Sequence, residues 1–310
     1  MQYFVIVNPA AGNHLVARKW HHFSACLKKH LNVSCEVTTA AGHATELAVK
    51  AIDKGFRSLL VIGGDGTLNE VLNGIMQQQQ VPTRQIALGM LPAGTGNDWL
   101  KSAGFSMRFE QAVAQLSGAV TCPHDVGVLH FGEDNDRHSR YFMNVAGFGF
   151  GGLVVKTLLQ KRQPLNLSVA GYVLALLRSL YSYREVTASM EADGKLYTSQ
   201  MFNLSIGHGQ YFGGGMRILP DSLADDGLFD ISMVSKIGRL KVAANLQGLF
   251  NGRYTRLPEV QVARARKVKV TTKSPVYFEV EGELLGEGRK FWLEVLPGAI
   301  QVFRPGTAAT

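Results

Sequence analysis

Apolar positions fall into two rhythms along this chain of 310 residues. In the first part, short continuous apolar runs at 3–7, 33–37, 59–62 and 86–90 alternate with stretches at 15–30, 44–54, 69–76 and 109–116, where apolar residues recur every three to four positions. Continuous runs bounded by turn residues read as strands buried on both faces, and the helical spacing reads as amphipathic helices. Alternation of the two predicts a parallel sheet covered by helices, an α/β/α three-layer domain. Beyond residue 125 strand-like segments dominate, at 141–145, 186–190, 201–206, 229–234, 268–272, 276–280 and 291–295. Turn signals such as Ala192-Asp193-Gly194 and Asp226-Gly227 separate them. Many short antiparallel strands pack most naturally as a β-sandwich. Helical stretches near 151–184 and 238–250 interrupt it. The pattern predicts two domains, 1–125 of α/β type and 126–296 rich in β-structure.

The strands of the first part run into turns that carry chemistry. Leu59 to Ile62 leads into Gly63-Gly64-Asp65-Gly66-Thr67, followed by Asn69 and Glu70. Glycines at the carboxyl end of a buried strand let backbone N–H groups approach phosphate oxygens. The following helix points its positive end at the same place, where open α/β sheets bind nucleotides. Asp65 inside such a loop would repel phosphate unless a metal ion stood beside it. Further turns repeat the arrangement: Asn8-Pro9-Ala10-Ala11-Gly12, Thr38-Thr39-Ala40-Ala41-Gly42-His43, and Leu91-Pro92-Ala93-Gly94-Thr95-Gly96-Asn97-Asp98. Several such turns, each after a strand, should converge on one edge of one sheet.

Charge and cysteine content narrow the picture only slightly. The net charge is +8, with ten Lys/Arg against eight Asp/Glu in residues 1–125 and 22 against 16 afterwards. A basic excess in the second part suits either an anionic lipid surface or ordinary solvated surface. Nucleic acid is excluded as the expected partner, because no aromatic–basic interleaving, zinc spacing or nucleic-acid motif is present. Cys26, Cys35 and Cys122 lack metal-ligand spacing and read as free thiols of a reducing compartment. The longest apolar run, 169–177, falls well short of the ~20 residues a membrane-crossing helix needs. With no leader peptide visible, the expectation is a cytoplasmic protein, peripheral at the inner membrane face.

Asn8-Pro9-x-x-Gly12, the Gly63–Thr67 loop with Asn69-Glu70, and Gly94-Thr95-x-Asn97-Asp98 together resemble the diacylglycerol kinase catalytic family. The resemblance continues through Pro220-x-x-x-Ala224-Asp225-Asp226-Gly227-Leu228-Phe229-Asp230 and Glu281-Gly282-Glu283, so it covers essentially the whole chain. The Gly63–Thr67 loop alone is shared with NAD kinases and phosphofructokinases; the ordered set is far more specific. The resemblance implies a bacterial soluble lipid kinase using ATP and Mg²⁺ to phosphorylate a lipid alcohol such as diacylglycerol at the membrane surface. It also implies that a last strand near 299–303 returns to the first domain, and it leaves room for a homodimer.

Site residues follow from the same resemblance. Asn8, Pro9, Ala10, Ala11, Gly12, Thr38, Gly64, Asp65, Gly66, Thr67, Leu68, Asn69, Glu70 and Thr95 would contact ATP. Asp65 and Asp98 would organise a hydrated Mg²⁺ at the phosphates. Lys101 either adds positive charge there or is an exposed helix lysine. Asp226, with the carbonyls of Leu223 and Leu228, would hold a structural Mg²⁺; a plain Asp-rich turn is the alternative. Glu283 would take the proton of the lipid hydroxyl. Glu281 stands where the family usually has Asp. Among the histidines, His124 and His208 read as satisfied polar residues, and His43 and His138 have no partner at a telling spacing. The glycine-rich stretch 207–215 either lines an acceptor cleft or turns a corner of the sheet. A small-molecule kinase acting on NAD and a nucleotide-binding regulator without turnover are the rival functions. The first does not account for Gly94–Asp98 together with Glu281-Gly282-Glu283, and the intact loops argue against the second.

Overall fold

The computed structural model describes residues 1–132, 137–159 and 169–306, and the chain divides into two compact units, Met1–His124 with Gly298–Thr310, and Asp125–Pro297. The first unit runs β1 (Gln2–Val7), α1 (Ala11–His30), β2 (Asn32–Val37), α2 (His43–Asp53), β3 (Ser58–Gly63), α3 (Asp65–Gln77), β4 (Ala87–Pro92), α4 (Asp98–Ala103) and α5 (Phe109–Ser117). Its strands are parallel, with β2 beside β1, β1 beside β3 and β3 beside β4. Residues 298–304 add a further parallel strand against β4, with Gln301 opposite Ala87 and Val302 opposite Leu88. β3 and β4 are buried along their whole length, as their continuous apolar runs require.

From β1 the chain crosses to β2 on one side, then returns past β1 to β3 and β4 on the other. Right-handed crossovers therefore place α1 on one face and α2 and α3 on the opposite face. α2 and α3 pack on each other, and α1 packs on α5. The strand order reverses between β1 and β3. A crevice opens outside the carboxyl ends of strands at such a switch point.

The second unit contains β5 (Val120–Phe131), which enters it from the first, then β6 (His138–Phe142), β7 (Val145–Gly149), α6 (Phe150–Leu159), α7 (Val169–Ser182), β8 (Val186–Ala192) and β9 (Lys195–Gly207). It continues with β10 (Tyr211–Phe212), β11 (Met216–Arg217), β12 (Phe229–Ser235), α8 (Arg239–Ala244), α9 (Leu246–Asn251), β13 (Val260–Ala265), β14 (Lys267–Val280) and β15 (Glu283–Arg304). Antiparallel pairing runs β13-β12-β9-β7-β14-β15, while β8 bridges β9 and β14 and β5 pairs with β15 and β6. The architecture is an α/β unit followed by a β-sandwich-like unit, as the two rhythms predict.

Element boundaries differ from the sequence expectation at several strands. The expected strand 141–145 spans the break between β6 and β7, where Met143 and Asn144 turn their N–H groups to a carboxylate. Segments 268–272 and 276–280 form one strand, β14, with an irregularity between Thr271 and Val276. Segments 291–295 and 299–303 are likewise one strand, β15. The basic pair Lys161 and Arg162, in the stretch 151–184 that reads either as a core-packed helix with basic ends or as a lipid-facing element, lies outside the described residues.

Among the described residues no helix is long and apolar enough to cross a membrane.

Candidate active site

In the first unit the loops after β1, β3 and β4 meet. Asn8 Nδ2 donates to Thr67 Oγ1 at 2.9 Å, and Asn8 Oδ1 accepts the Ala10 N–H at 3.0 Å. Asp65 Oδ2 accepts the Asp98 N–H and its Oδ1 the Trp99 N–H, both at 3.1 Å. Within the third loop, Asn97 in left-handed conformation (φ 50°) exchanges two hydrogen bonds with Gly94, at 3.1 and 2.9 Å. A Cβ on Gly94 would stand 2.5 Å from the Gly64 Cα, so the loops touch backbone to backbone. Gly12 adopts φ 60°, and a Cβ there would meet the Ala93 carbonyl oxygen at 2.3 Å. Glycine is therefore required at both positions for the loops to close.

These contacts present the first turn of α3 at the switch point. A helix leaves its first four N–H groups without intrahelical acceptors, here those of Gly64, Asp65, Gly66 and Thr67. No side chain caps this end through a hydrogen bond. It is the natural cradle for a phosphate.

The later part of the predicted run has other work. Leu68 N–H donates to the Gly64 carbonyl at 3.1 Å, closing the first turn. Asn69 is buried and accepts from Asn73. The Glu70 carboxylate accepts the Ala44 N–H at 3.2 Å, capping α2. Leu68, Asn69 and Glu70 thus also shape the loop and the start of α3. Pro9, Ala10 and Ala11 lie with Asn8 and Gly12 in the turn after β1, where Gly12, Asn13 and His14 all have positive φ. Thr38 follows β2, is buried, and donates its N–H to Val7 at 2.8 Å. Thr95 is exposed at the tip of the third loop.

Asp65 and Asp98 are electrostatic neighbours. Burial, and next the Asp98 carboxylate, push the Asp65 carboxyl up to about 6, against the opposing pull of its two backbone donors. Lys101 Nζ pairs with Asp98 Oδ1 at 2.8 Å, so Lys101 is a counter-ion of the site.

In the second unit, Glu281 and Gly282 form the two-residue turn between β14 and β15, with φ of 52° and 84°. Two left-handed residues suit the right-handed twist of a hairpin. Glu281 is buried and turns inward, where Oε1 accepts the N–H groups of Met143 (2.6 Å) and Asn144 (2.9 Å). The glutamate in the Asp position is therefore a clamp on the β6–β7 junction. Glu283 is exposed, and its Oε2 pairs with Arg140.

Asp226 sits at a turn, accepting the Leu228 N–H at 3.1 Å and pairing with Arg264. Leu223 is exposed, and the carbonyl of the next residue, Ala224, accepts from the Asp125 N–H. Among the described residues no three His, Cys, Asp or Glu side chains gather as a metal cluster. A second acid lies nearby: Asp230 Oδ2 is buried without a hydrogen-bond partner, and burial, Asp226 and Asp221 push its carboxyl up while Arg264 opposes them. His43 accepts from Thr39, and His124 from Trp99.

The same unit holds a partly open cavity of about 100 Å³, lined by apolar side chains that include Phe150, Leu176, Phe202 and Met216, with Asn203, Ser205 and Glu279 among them. Sequence reasoning missed Glu279. It is fully buried, and burial pushes its carboxyl up to about 8, with a smaller push from the Glu281 carboxylate. Its position in an alternating strand gave no local signal.

The diacylglycerol kinase catalytic domain matches residues 2–129, and the YegS C-terminal NAD kinase beta sandwich-like domain matches residues 147–304. The chain belongs to the diacylglycerol kinase catalytic family. It is 27% identical over 289 residues to a diacylglycerol kinase of Bacillus subtilis, covering 91% of this chain and 89% of that one. A crystal structure of a diacylglycerol kinase from Bacillus anthracis superposes with a TM-score of 0.72 at 20% identity, covering 99% and 97% of the two chains. Yeast NADH kinase shares the fold more distantly, with a TM-score of 0.53 at 11% identity and coverage of 99% and 84%. As a member of a lipid kinase family the chain is a kinase, and the family implies use of ATP.

Proposed function

We propose that this kinase transfers the γ-phosphoryl group of ATP to the hydroxyl of a diacylglycerol-type lipid, giving a phosphatidic acid. The observation that carries the lipid reading is the apolar cavity of the second unit. A dinucleotide such as NAD is charged and polar, and would gain little from Phe150, Leu176 and Phe202. The laced loops 8–12, 63–67 and 94–98 supply the phosphate half. Backbone N–H groups of Gly64 to Thr67 hold the phosphates, and the rigid contacts among the loops fix their geometry beforehand, which is where catalysis of phosphoryl transfer resides.

In the transfer, the lipid oxygen forms a bond to the γ-phosphorus as the bond to the β–γ bridging oxygen breaks. ADP leaves with the electron pair. Glu283 takes the hydroxyl proton, and Arg140 orients its carboxylate through Oε2.

The residues fit Mg²⁺ in two places. Asp65 and Asp98 form an acidic pair at the phosphate loops. Asp226 and Asp230 form another, where the orphaned Asp230 Oδ2 is a ready hard ligand. When bound, the cation supplies charge neutralisation at the phosphates and ties the 221–230 turn together. Membrane contact is supported by exposed apolar side chains on α7 and α8, namely Leu174, Leu177, Tyr181 and Leu240.

Radiolabelled ATP offered with diacylglycerol, other lipid alcohols and NAD tests the proposal. Label should partition into the lipid phase with diacylglycerol present. Label on NAD, or none on any acceptor, overturns it.

A further inference from the structure

Across the sheet of the second unit, Glu279 on β14 lies opposite Gly147 on β7, Gly147 opposite Ser205 on β9, and Ser205 opposite Ser232 on β12. Directly opposed residues of antiparallel strands share a face. These four therefore form one polar row, and Glu279, Gly147 and Ser205 are part of the wall of the cavity. At the far end of the row, Ser232 accepts from the Tyr254 hydroxyl at 2.8 Å. Gly147 is the gap in the row: a Cβ there would stand 2.2 Å from Glu279 Oε1. The glutamate side chain thus lies over the glycine, at the cavity wall.

The two carboxyl oxygens of Glu279 have different surroundings. Oε2 accepts the Gly282 N–H at 2.8 Å. Oε1 is buried and has no hydrogen-bond partner among the described residues. Burying an ionised carboxylate without a cation is costly, so the group is kept neutral, as its raised pKa reflects. A neutral carboxyl has one O–H to place and remains an acceptor at the other oxygen. Because Oε2 is accepting, the proton belongs on Oε1, where the protein provides no acceptor. A buried donor without an acceptor is an incomplete site.

We propose that Glu279 is a specificity-determining residue that donates a hydrogen bond from Oε1 to an ester carbonyl oxygen of the acceptor lipid, selecting acyl over alkyl-ether glycerides. The assignment rests on the lipid kinase reading above and deepens it. A diacylglycerol brings an apolar chain for Phe150 and Phe202 and, at its head end, carbonyl oxygens that are strong acceptors. A dialkylglycerol of equal length offers only ether oxygens, which are weaker acceptors, and leaves the Glu279 donor poorly paired.

The test compares 1,2-dioctanoylglycerol with its dioctyl-ether analogue in mixed micelles. Wild type should show kcat/KM about tenfold higher for the ester, the order expected for one neutral hydrogen bond plus a buried donor left unmet. Glu279→Gln keeps a donor of similar shape and should retain the preference. Glu279→Met removes it and should bring the ratio close to one. Equal kcat/KM for the two lipids in wild type overturns the assignment whether or not the variants fold. So does an unchanged ratio in a folded Glu279→Met protein.

Stabilisation of wild type by each lipid, read as a shift in melting temperature without ATP, separates the two levels of argument. Ester-selective stabilisation without lipid phosphorylation would support the Glu279 contact and sink the assignment of diacylglycerol as phosphoryl acceptor. Phosphorylation with equal stabilisation by ester and ether would do the reverse.

Discussion

Asn8 donates its side-chain amide to the Thr67 hydroxyl at 2.9 Å, although 59 residues separate the two. The bond spans the place where the strand order reverses, joining the turn after β1 to the first turn of α3. Thr67→Val keeps the shape and removes the acceptor. We expect about 1 kcal/mol of lost stability, and a KM for ATP raised several-fold. Thermal melts and steady-state kinetics over an ATP series read both effects. An unchanged melting point with an unchanged KM would mean that the loops are held by other contacts.

Asp65 ties the loop after β3 to the start of α4 and faces the Asp98 carboxylate. Asp65→Ala should lower kcat on the order of 10²–10³-fold, the usual consequence of losing one organised charge at a transferring phosphoryl group. A pH signature accompanies it. The carboxyl sits at about 6 in the fold against about 3.9 in an unfolded chain. Between those values the folded state holds the extra proton, so stability falls as pH rises from about 4 to about 6 and then levels. The melting difference between wild type and Asp65→Ala should carry that slope. A flat difference across this window would show that Asp65 ionises normally.

Glu283→Gln preserves size and abolishes proton acceptance. The expected loss in kcat is roughly 10²–10⁴-fold, with ATP affinity nearly intact. Arg140→Met should lower kcat less, since it removes only the group that orients the base. Loss of ATP affinity in Glu283→Gln with kcat preserved would place Glu283 outside the chemistry.

Mg²⁺ should raise the wild-type melting temperature, because a ligand bound only to the folded state stabilises it. Asp226→Ala should lose much of that increment, as it removes one of the two carboxylates that face each other beside Arg264. A variant that melts like wild type and keeps the full Mg²⁺ increment would leave the 221–230 turn without a cation.

Leu177 and Tyr181 are exposed apolar residues on α7. Double replacement by Glu should weaken co-sedimentation with vesicles containing anionic lipid while leaving the melting point within about a degree. Equal sedimentation of variant and wild type would remove α7 from the membrane-facing surface.

The first unit is legible in sequence because its signals are local. Each apolar run, the glycine after it and the helical spacing beyond occupy adjacent positions, so Gly12, Gly64 and Gly94 declare their turns without tertiary knowledge. The tasks of the acids are not local. Asp65 meets donors 33 and 34 residues away, and Glu281 meets donors 138 and 137 residues away. Glu70 reads as part of the phosphate motif, yet its carboxylate caps α2 because α2 and α3 share a face of the sheet. Glu279 is hidden for a different reason. Its burial depends on Gly147, and only strand pairing reveals that the two are opposite.

The first unit is not contiguous in the chain. Residues 298–304 complete its sheet beside β4, Thr83 Oγ1 holds the Ala299 carbonyl at 2.6 Å, and Phe303 is buried against Tyr3. On the ribosome, β4 must therefore wait as an open edge while more than 170 intervening residues, Asp125 to Pro297, are made. Such an edge is a hazard for misplaced pairing. The nucleotide loops can form early, but the sheet that carries them is finished by a segment that emerges only after the whole second unit. Ribosome-bound chains stopped before residue 298 should remain open to proteolysis in the first unit, and chains that expose residue 304 should not.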